Sequence, residues 1–146
     1  MGVPTNVVPA RVLLVDDDIQ PVELRAQVLR TCGFSVMAAY GPVQAMSIFA
    51  ANTETIDVAV LDYQMPIMNG GALADRLKSC RPELKIILYS GALDIPHRAM
   101  SNVDVFIPKS AGVATLVRHI TECVGSRTDP PPNLVSDKRS SIEIGS

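Results

Sequence analysis

Residues 60–71 read VLDYQMPIMNGG, a stretch in which a short apolar strand ends on a single carboxylate, Asp62, before the chain turns sharply. A second apolar segment, residues 11–15, ends in a similar way on three consecutive aspartates at 16–18. Two such strands, if parallel, deliver their acidic side chains to one edge of a sheet. Because clustered carboxylates repel one another, this edge requires a cation or a proton.

The rest of the chain alternates short runs of Val, Ile and Leu with longer stretches of helical spacing. The apolar runs predict strands at residues 11–15, 34–39, 57–61, 84–89 and 103–107. The helical spacing predicts helices at residues 19–32, 42–51, 70–80, 95–101 and 111–124. The fourth of these helices is short and only faintly amphipathic, and in the first we expect Leu24, Val28 and Leu29 to share the buried face.

This alternation predicts an α/β fold. Strands that are almost continuously apolar and are linked by helices form a parallel sheet covered on both faces. Right-handed crossovers then give a doubly wound arrangement, whose ligand crevice lies at the carboxyl ends of the strands.

Size and composition favour one domain without a broad charged surface. The chain has 146 residues, enough to bury a single core. Charged residues make up 19% of it and the formal net charge is -2, which argues against disorder and against direct binding of nucleic acid. No apolar run reaches the roughly 18 residues that span a bilayer, and the start of the chain does not resemble a signal peptide. We therefore expect a cytoplasmic protein with no membrane partner.

Polar residues follow four of the predicted strands at the same edge of the sheet. They are Asp16 and Asp17 after the first, Asp62 after the third, Ser90-Gly91 after the fourth and Lys109 after the fifth. Each has an ordinary explanation, since Asp caps helices, Ser-Gly forms turns and a lone Lys is usually solvated. Their order along the chain is much more specific than any one of them.

These motifs resemble the receiver domain of two-component response regulators over about residues 10–125. LLVDDD at 13–18 is similar to the acidic motif of that family, residues 61–70 to its phosphoacceptor motif, and FIPK at 106–109 to its lysine motif. The resemblance implies a flavodoxin-like (βα)5 fold with strand order 2-1-3-4-5. Outside this region we expect an N-terminal extension at 1–9 and, from its composition, a proline-rich tail at 126–146.

The resemblance implies that Asp62 accepts a phosphoryl group from the phosphohistidine of a sensor histidine kinase or a histidine phosphotransfer protein. Mg²⁺ would be the cofactor, held by Asp16, Asp17, the Asp62 side chain and the main-chain carbonyl of Gln64. Such hard oxygen ligands suit this ion.

The remaining roles concern the phosphoryl group and the switch. Lys109 and the Ser90 hydroxyl would each contact a phosphoryl oxygen, and Gly91 would allow close approach of the backbone. Ser90 and Phe106 would form the conformational switch. The protein would then be a signalling domain that catalyses only its own phosphoryl transfer and autodephosphorylation.

The signal is expected to leave through a protein partner. The tail, which contains a run of three prolines at 130–132, is too short for a DNA-binding or catalytic domain. The downstream protein is not identified by the sequence, and the resemblance leaves a homodimer open. Between Ser90 and Lys109 the chain is shorter than the family pattern and carries Pro96, so we expect a remodelled output face.

Two other classes of function compete with this one. A receiver fold that takes no phosphate could serve as a docking module, although the intact Asp62 and Lys109 argue against it. A phosphohydrolase of the haloacid dehalogenase type also uses an Asp nucleophile and Mg²⁺. Asp16 and Asp18 fit its Asp-x-Asp motif only superficially, and the motif around Asp62 would be left unexplained.

Overall fold

Five parallel strands form one sheet in the computed structural model, which describes residues 8–125. The strands are β1 (Arg11–Val15), β2 (Ser35–Ala39), β3 (Val58–Leu61), β4 (Lys85–Ser90) and β5 (Val105–Pro108). Their order across the sheet is β2-β1-β3-β4-β5, so the flavodoxin-like doubly wound fold is confirmed. The tail at 126–146 and most of the extension at 1–9 lie outside the described residues.

Within the described residues, four α-helices connect or follow the strands. They are α1 (Ile19–Thr31), α2 (Pro42–Ala51), α3 (Gly70–Cys80) and α4 (Val113–Val124). Two short 3₁₀-helices, His97–Met100 and Lys109–Ala111, lie on either side of β5. No helix within residues 8–125 is long and apolar enough to cross a membrane.

The α-helix expected at 95–101 is instead the 3₁₀-helix His97–Met100. Pro96 stands just before it, and its carbonyl accepts a hydrogen bond from the amide of Ala99 at 2.9 Å. The amide of Ser101 likewise donates to the carbonyl of Arg98, at 3.3 Å. Both bonds join an amide to the carbonyl three residues earlier, as in a 3₁₀-helix. This part of the connection between β4 and β5 is therefore wound more tightly than an α-helix.

The helices cover both faces of the sheet. On one face, α1 and α4 pack on alternate strand residues such as Val12 and Leu14, and on the other, α2 and α3 pack on Leu13 and Val15. Successive strand residues point to opposite faces, so a continuously apolar strand supplies both cores.

The buried face of α1 is formed by Val22, Ala26 and Leu29, and this differs from our prediction. Leu24 and Val28, which we expected to share that face with Leu29, are 65% and 40% exposed. Leu24 lies two residues after Val22, about 200° around the helix axis, so the two cannot face the same sheet. The small side chain of Ala26 lets the helix approach the strands closely.

The 3₁₀-helix His97–Met100 lies directly against α3. A Cβ atom added to Gly71 would lie only 2.5 Å from the carbonyl oxygen of Ala99. Nearby, the Asn102 side chain donates a hydrogen bond to Oδ1 of Asp75 at 2.7 Å. The close contact therefore depends on the absence of a side chain at position 71.

Candidate functional site

Two buried aspartates directly follow the strands β1 and β3. The amide of Asp16 donates to the carbonyl of Ala39 on β2 at 3.1 Å, and the amide of Asp62 donates to the carbonyl of Val15 on β1 at 3.0 Å. Each carboxylate is thus attached to backbone that continues the hydrogen bonding of the sheet. The sheet itself fixes the spacing between the two side chains.

Asp17 completes an acidic cluster with Asp16 and Asp62. One carboxylate oxygen from each residue lies within 4.8 Å of the other two. Asp16 and Asp62 are 2% and 7% exposed, whereas Asp17 is exposed, so the cluster opens to solvent on one side. Three carboxylate oxygens at this spacing fit a hard divalent cation such as Mg²⁺. Asp18 is not a member of this group; its amide donates to Oδ1 of Asp16 at 3.1 Å.

Lys109 places an ammonium group between the two buried carboxylates. Its Nζ atom lies 2.9 Å from Oδ2 of Asp16 and 3.3 Å from Oδ1 of Asp62. Lys109 directly follows β5, and its side chain is 31% exposed. The strand ends of β1, β3 and β5 therefore meet at one ion-pair cluster.

The pKa values of Asp16 and Asp62 are shifted in opposite directions. Burial alone would raise the pKa of Asp16, but the hydrogen bonds from Lys109 and the Asp18 amide, with the charges of Lys109 and Arg25, hold it below the usual value. Burial and the negative charge of Asp16 raise the pKa of Asp62, although Lys109 opposes this. Burial opposes the charged form of Lys109 as well, yet its two carboxylate partners raise its pKa.

Arg25, which was not among the predicted site residues, also belongs to this cluster. Its guanidinium NH1 lies 3.6 Å from Oδ2 of Asp16, and its side chain is only 13% exposed. The guanidinium carbon also lies 5.0 Å from the centroid of the Tyr89 ring. Arg25 stands between Val22 and Ala26 on the side of α1 that faces the sheet, a side that the apolar pattern of the sequence did not identify.

The predicted phosphoryl-binding residues lie at the end of β4. Ser90 is fully buried, and its Oγ accepts a hydrogen bond from the amide of Ala92 at 3.1 Å. Gly91 is exposed, and a Cβ atom there would meet open space. Because Leu61 pairs with Leu88 in the sheet, Ser90 lies at the same edge as Asp62.

The turn after β3 explains the Asn-Gly pair of the phosphoacceptor motif. The side chain of Asn69 caps α3 by accepting a hydrogen bond from the amide of Ala72 at 2.9 Å. Gly70 donates its amide to the carbonyl of Tyr63 at 2.9 Å, and a Cβ atom on Gly70 would overlap the carbonyl oxygen of Asp62. Gln64 is exposed within this turn.

Phe106, the predicted switch residue, is half-buried on β5. It pairs with Leu88 in the sheet and packs against the core beneath α2 and α3. Its side chain is thus neither enclosed in the core nor free in solvent.

Comparisons of this sequence with known proteins point to a single family. A family model described as the response regulator receiver domain matches residues 12–121. The response regulator MprA of Mycobacterium sp. strain KMS is 29% identical over 125 residues, a match that covers 84% of this chain and 53% of that protein. The chain thus spans about half the length of this curated relative.

Two solved structures have the same fold. The response regulator receiver domain protein of Clostridium thermocellum matches with a TM-score of 0.75 and 24% identity, covering 81% of this chain and 96% of that one. The response regulator TrrA of Thermotoga maritima, solved in complex with Mg²⁺ and BeF, has a TM-score of 0.70 and 24% identity, covering 78% and 98%. Since the family model spans well over half of the sequence, this protein belongs to the response regulator receiver domain family.

Proposed function

We propose that residues 10–125 form a receiver that accepts a phosphoryl group on Asp62 from a phosphohistidine of a sensor histidine kinase or a phosphotransfer protein. Mg²⁺ is the proposed cofactor, and a conformational switch passes the signal to a partner protein. The observation that carries the proposal is the position of Asp62, a buried carboxylate 3.3 Å from Lys109 and within 4.8 Å of Asp16 and Asp17.

In the proposed reaction Asp62 is the nucleophile. One of its carboxylate oxygens attacks phosphorus, and a P–O bond forms as the P–N bond to the donor histidine breaks. The electron pair of the broken bond stays on the imidazole nitrogen. Hydrolysis of the resulting acyl phosphate by water returns Asp62 and inorganic phosphate.

The acidic cluster supplies the cation site of the proposal. Asp16, Asp17 and Asp62 offer carboxylate oxygens, and the carbonyl of Gln64 is the proposed main-chain ligand. Bound Mg²⁺ would neutralise part of the negative charge and draw a phosphoryl oxygen toward the cluster. The complex of TrrA with Mg²⁺ and BeF is consistent with this role in a related fold.

Three further residues would surround the phosphoryl group once it is on Asp62. Lys109 offers a point charge to one oxygen, and the hydroxyl of Ser90 donates a hydrogen bond to another. Gly91 leaves open space beside the backbone, so an oxygen can approach the chain there.

The proposed switch starts at Ser90. Its Oγ accepts a hydrogen bond from the amide of Ala92 in the structure. A rotation of the Ser90 side chain toward a phosphoryl oxygen would weaken this hydrogen bond. As Ser90 and the Gly91-Ala92 loop move toward the phosphoryl group, they would vacate space beneath the loop. The half-buried Phe106 would then turn inward to fill that space. A local charge thereby shifts the loop after β4 and the outer surface of β5.

Small-molecule phosphorylation tests the proposal directly. The protein is incubated with acetyl phosphate, with and without Mg²⁺, and its intact mass is measured for wild type, Asp62→Ala and the control Glu54→Gln. Glu54 is an exposed carboxylate outside the acidic cluster. We expect one phosphoryl addition that requires Mg²⁺, persists in the control and is lost in Asp62→Ala. Mg²⁺ binding with neither phosphorylation nor a beryllofluoride adduct would support the docking-module alternative.

A further inference from the structure

Arg25 is a second cation that contacts the same oxygen of Asp16 as Lys109. Its NH1 atom lies 3.6 Å from Oδ2 of Asp16, while Nζ of Lys109 lies 2.9 Å from that oxygen. The two cations reach it from different elements, since Arg25 is on α1 and Lys109 follows β5. The negative charge of Asp16 is therefore compensated by two cations, which reach it from different elements of the fold.

The two cations differ in how firmly they are held. The Arg25 side chain is 13% exposed, and its guanidinium lies over the ring of Tyr89, which is itself buried. A guanidinium over an aromatic face is attracted by the ring and keeps its planar donors in one orientation. The Lys109 side chain is 31% exposed and shares its ammonium group between Asp16 and Asp62. Lys109 is thus the less firmly held of the two cations, and the one whose side chain can shift between neighbouring negative groups.

A phosphoryl group on Asp62 changes the competition for Lys109. It replaces the single carboxylate charge of Asp62 with close to two negative charges near neutral pH, and these attract the ammonium group away from Asp16. Asp16, Asp17 and the phosphoryl group would together carry about four negative charges, against two positive charges from Mg²⁺ and one from Lys109. Asp16 is almost wholly buried, so the loss of its hydrogen-bonded cation would be costly, even with Mg²⁺ bound, unless a further positive group remained beside it.

We propose that Arg25 is a positioning residue for Lys109: it stays with Asp16, anchored on Tyr89, so that Lys109 can leave Asp16 for the phosphoryl group on Asp62. This inference deepens the proposed function and rests on it. No bond is made or broken by Arg25, which acts only by keeping the charge of Asp16 compensated.

A double-mutant cycle tests whether Arg25 acts through Lys109. Wild type, Arg25→Met, Lys109→Met and the double variant are titrated with beryllofluoride at saturating Mg²⁺, and dissociation constants are obtained by calorimetry. The Mg²⁺ affinity of each variant is measured first, so that saturation is known. Arg118→Met, which removes an exposed arginine on α4, is the control for net charge.

We expect Arg25→Met to weaken beryllofluoride binding about fivefold when Lys109 is present and less than about twofold in the Lys109→Met background. Arg118→Met should match wild type. Arg25→Lys keeps the charge but loses the planar contact with Tyr89, so its affinity should fall between those of wild type and Arg25→Met. Should Arg25→Met fail to fold, Arg25→Lys completes the same cycle.

Equal weakening in both backgrounds would overturn the inference, because Arg25 would then act independently of Lys109. Wild-type affinity in Arg25→Met would overturn it as well. In both cases wild type still binds Mg²⁺ and beryllofluoride, so the proposed function stands. If wild type binds Mg²⁺ but no beryllofluoride, the proposed function fails and this inference fails with it.

Discussion

The ammonium nitrogen of Lys109 lies 3.3 Å from Oδ1 of Asp62. This ion pair does not fully compensate the buried carboxylate, because burial and the neighbouring charge of Asp16 still raise its pKa. The folded protein therefore bears a cost for keeping Asp62 ionised without a metal ion.

Replacing Asp62 by Asn should stabilise the metal-free protein at neutral pH. A raised folded pKa means that ionised Asp62 opposes folding above that pKa, and that the cost is relieved as the pH falls through it. We expect Asp62→Asn to increase the free energy of unfolding at pH 7. The difference from wild type should shrink as the pH is lowered toward the ordinary range of an aspartic acid. Urea unfolding with a chelator, with Glu54→Gln as the control, measures it; a less stable Asn variant at pH 7 would contradict the argument.

Mg²⁺ should stabilise the protein through the acidic cluster. A ligand at ten times its dissociation constant adds about 1.4 kcal/mol to the free energy of unfolding. We expect the thermal midpoint of wild type to rise with Mg²⁺ and that of Asp17→Asn to rise much less. Asp17 is exposed, so this substitution removes a ligand without disturbing the core. Asp18→Asn lies outside the cluster and should respond as wild type does; an equal response of Asp17→Asn would exclude Asp17 as a ligand.

A methyl group at position 71 should disturb the packing of α3 against the 3₁₀-helix His97–Met100. The added Cβ would lie 2.5 Å from the carbonyl oxygen of Ala99, so one of the two segments must move. We expect Gly71→Ala to lower the free energy of unfolding by about 1–3 kcal/mol. At Gly125 a Cβ atom would meet open space, so Gly125→Ala is the matched control. Chemical denaturation of both variants gives the comparison, and equal stabilities would show that the contact is easily relaxed.

Two leucines of α1 should differ greatly in their contribution to stability. Leu29 is fully buried, and truncation to Ala is expected to cost about 2–5 kcal/mol. Leu24 is 65% exposed, and Leu24→Ala should change the free energy of unfolding by less than about 0.5 kcal/mol. Similar losses for the two variants would mean that α1 is rotated about its axis, with Leu24 turned toward the sheet.

The sheet could be predicted from the sequence because its strands carry a simple signal. Continuous apolar runs such as residues 58–61 occur where a strand is buried on both faces, and the polar residue that follows marks the strand end. The same signal placed Asp16, Asp62 and Lys109 at one edge, and the structure brings these three side chains together.

Helix orientation was less predictable, because side-chain size misled the choice of face. Leu24 and Val28 are large and apolar, yet the sheet contacts a face built around Ala26. Arg25 was overlooked for a related reason, since a charged residue in an amphipathic helix is usually assigned to solvent. Its partners Asp16 and Tyr89 are distant in sequence, so only the tertiary fold places them beside it.

The ion pair between Lys109 and Asp16 joins residues 93 positions apart in the chain. The cluster therefore draws on β1 and β5, the first and last of these strands in chain order, and no short segment contains it. During synthesis a growing chain acquires all of its strand-end charges only after Lys109 has left the ribosome. The pairing of Lys109 with Asp16 and Asp62 is consequently one of the last features of this sheet to form as the chain is made.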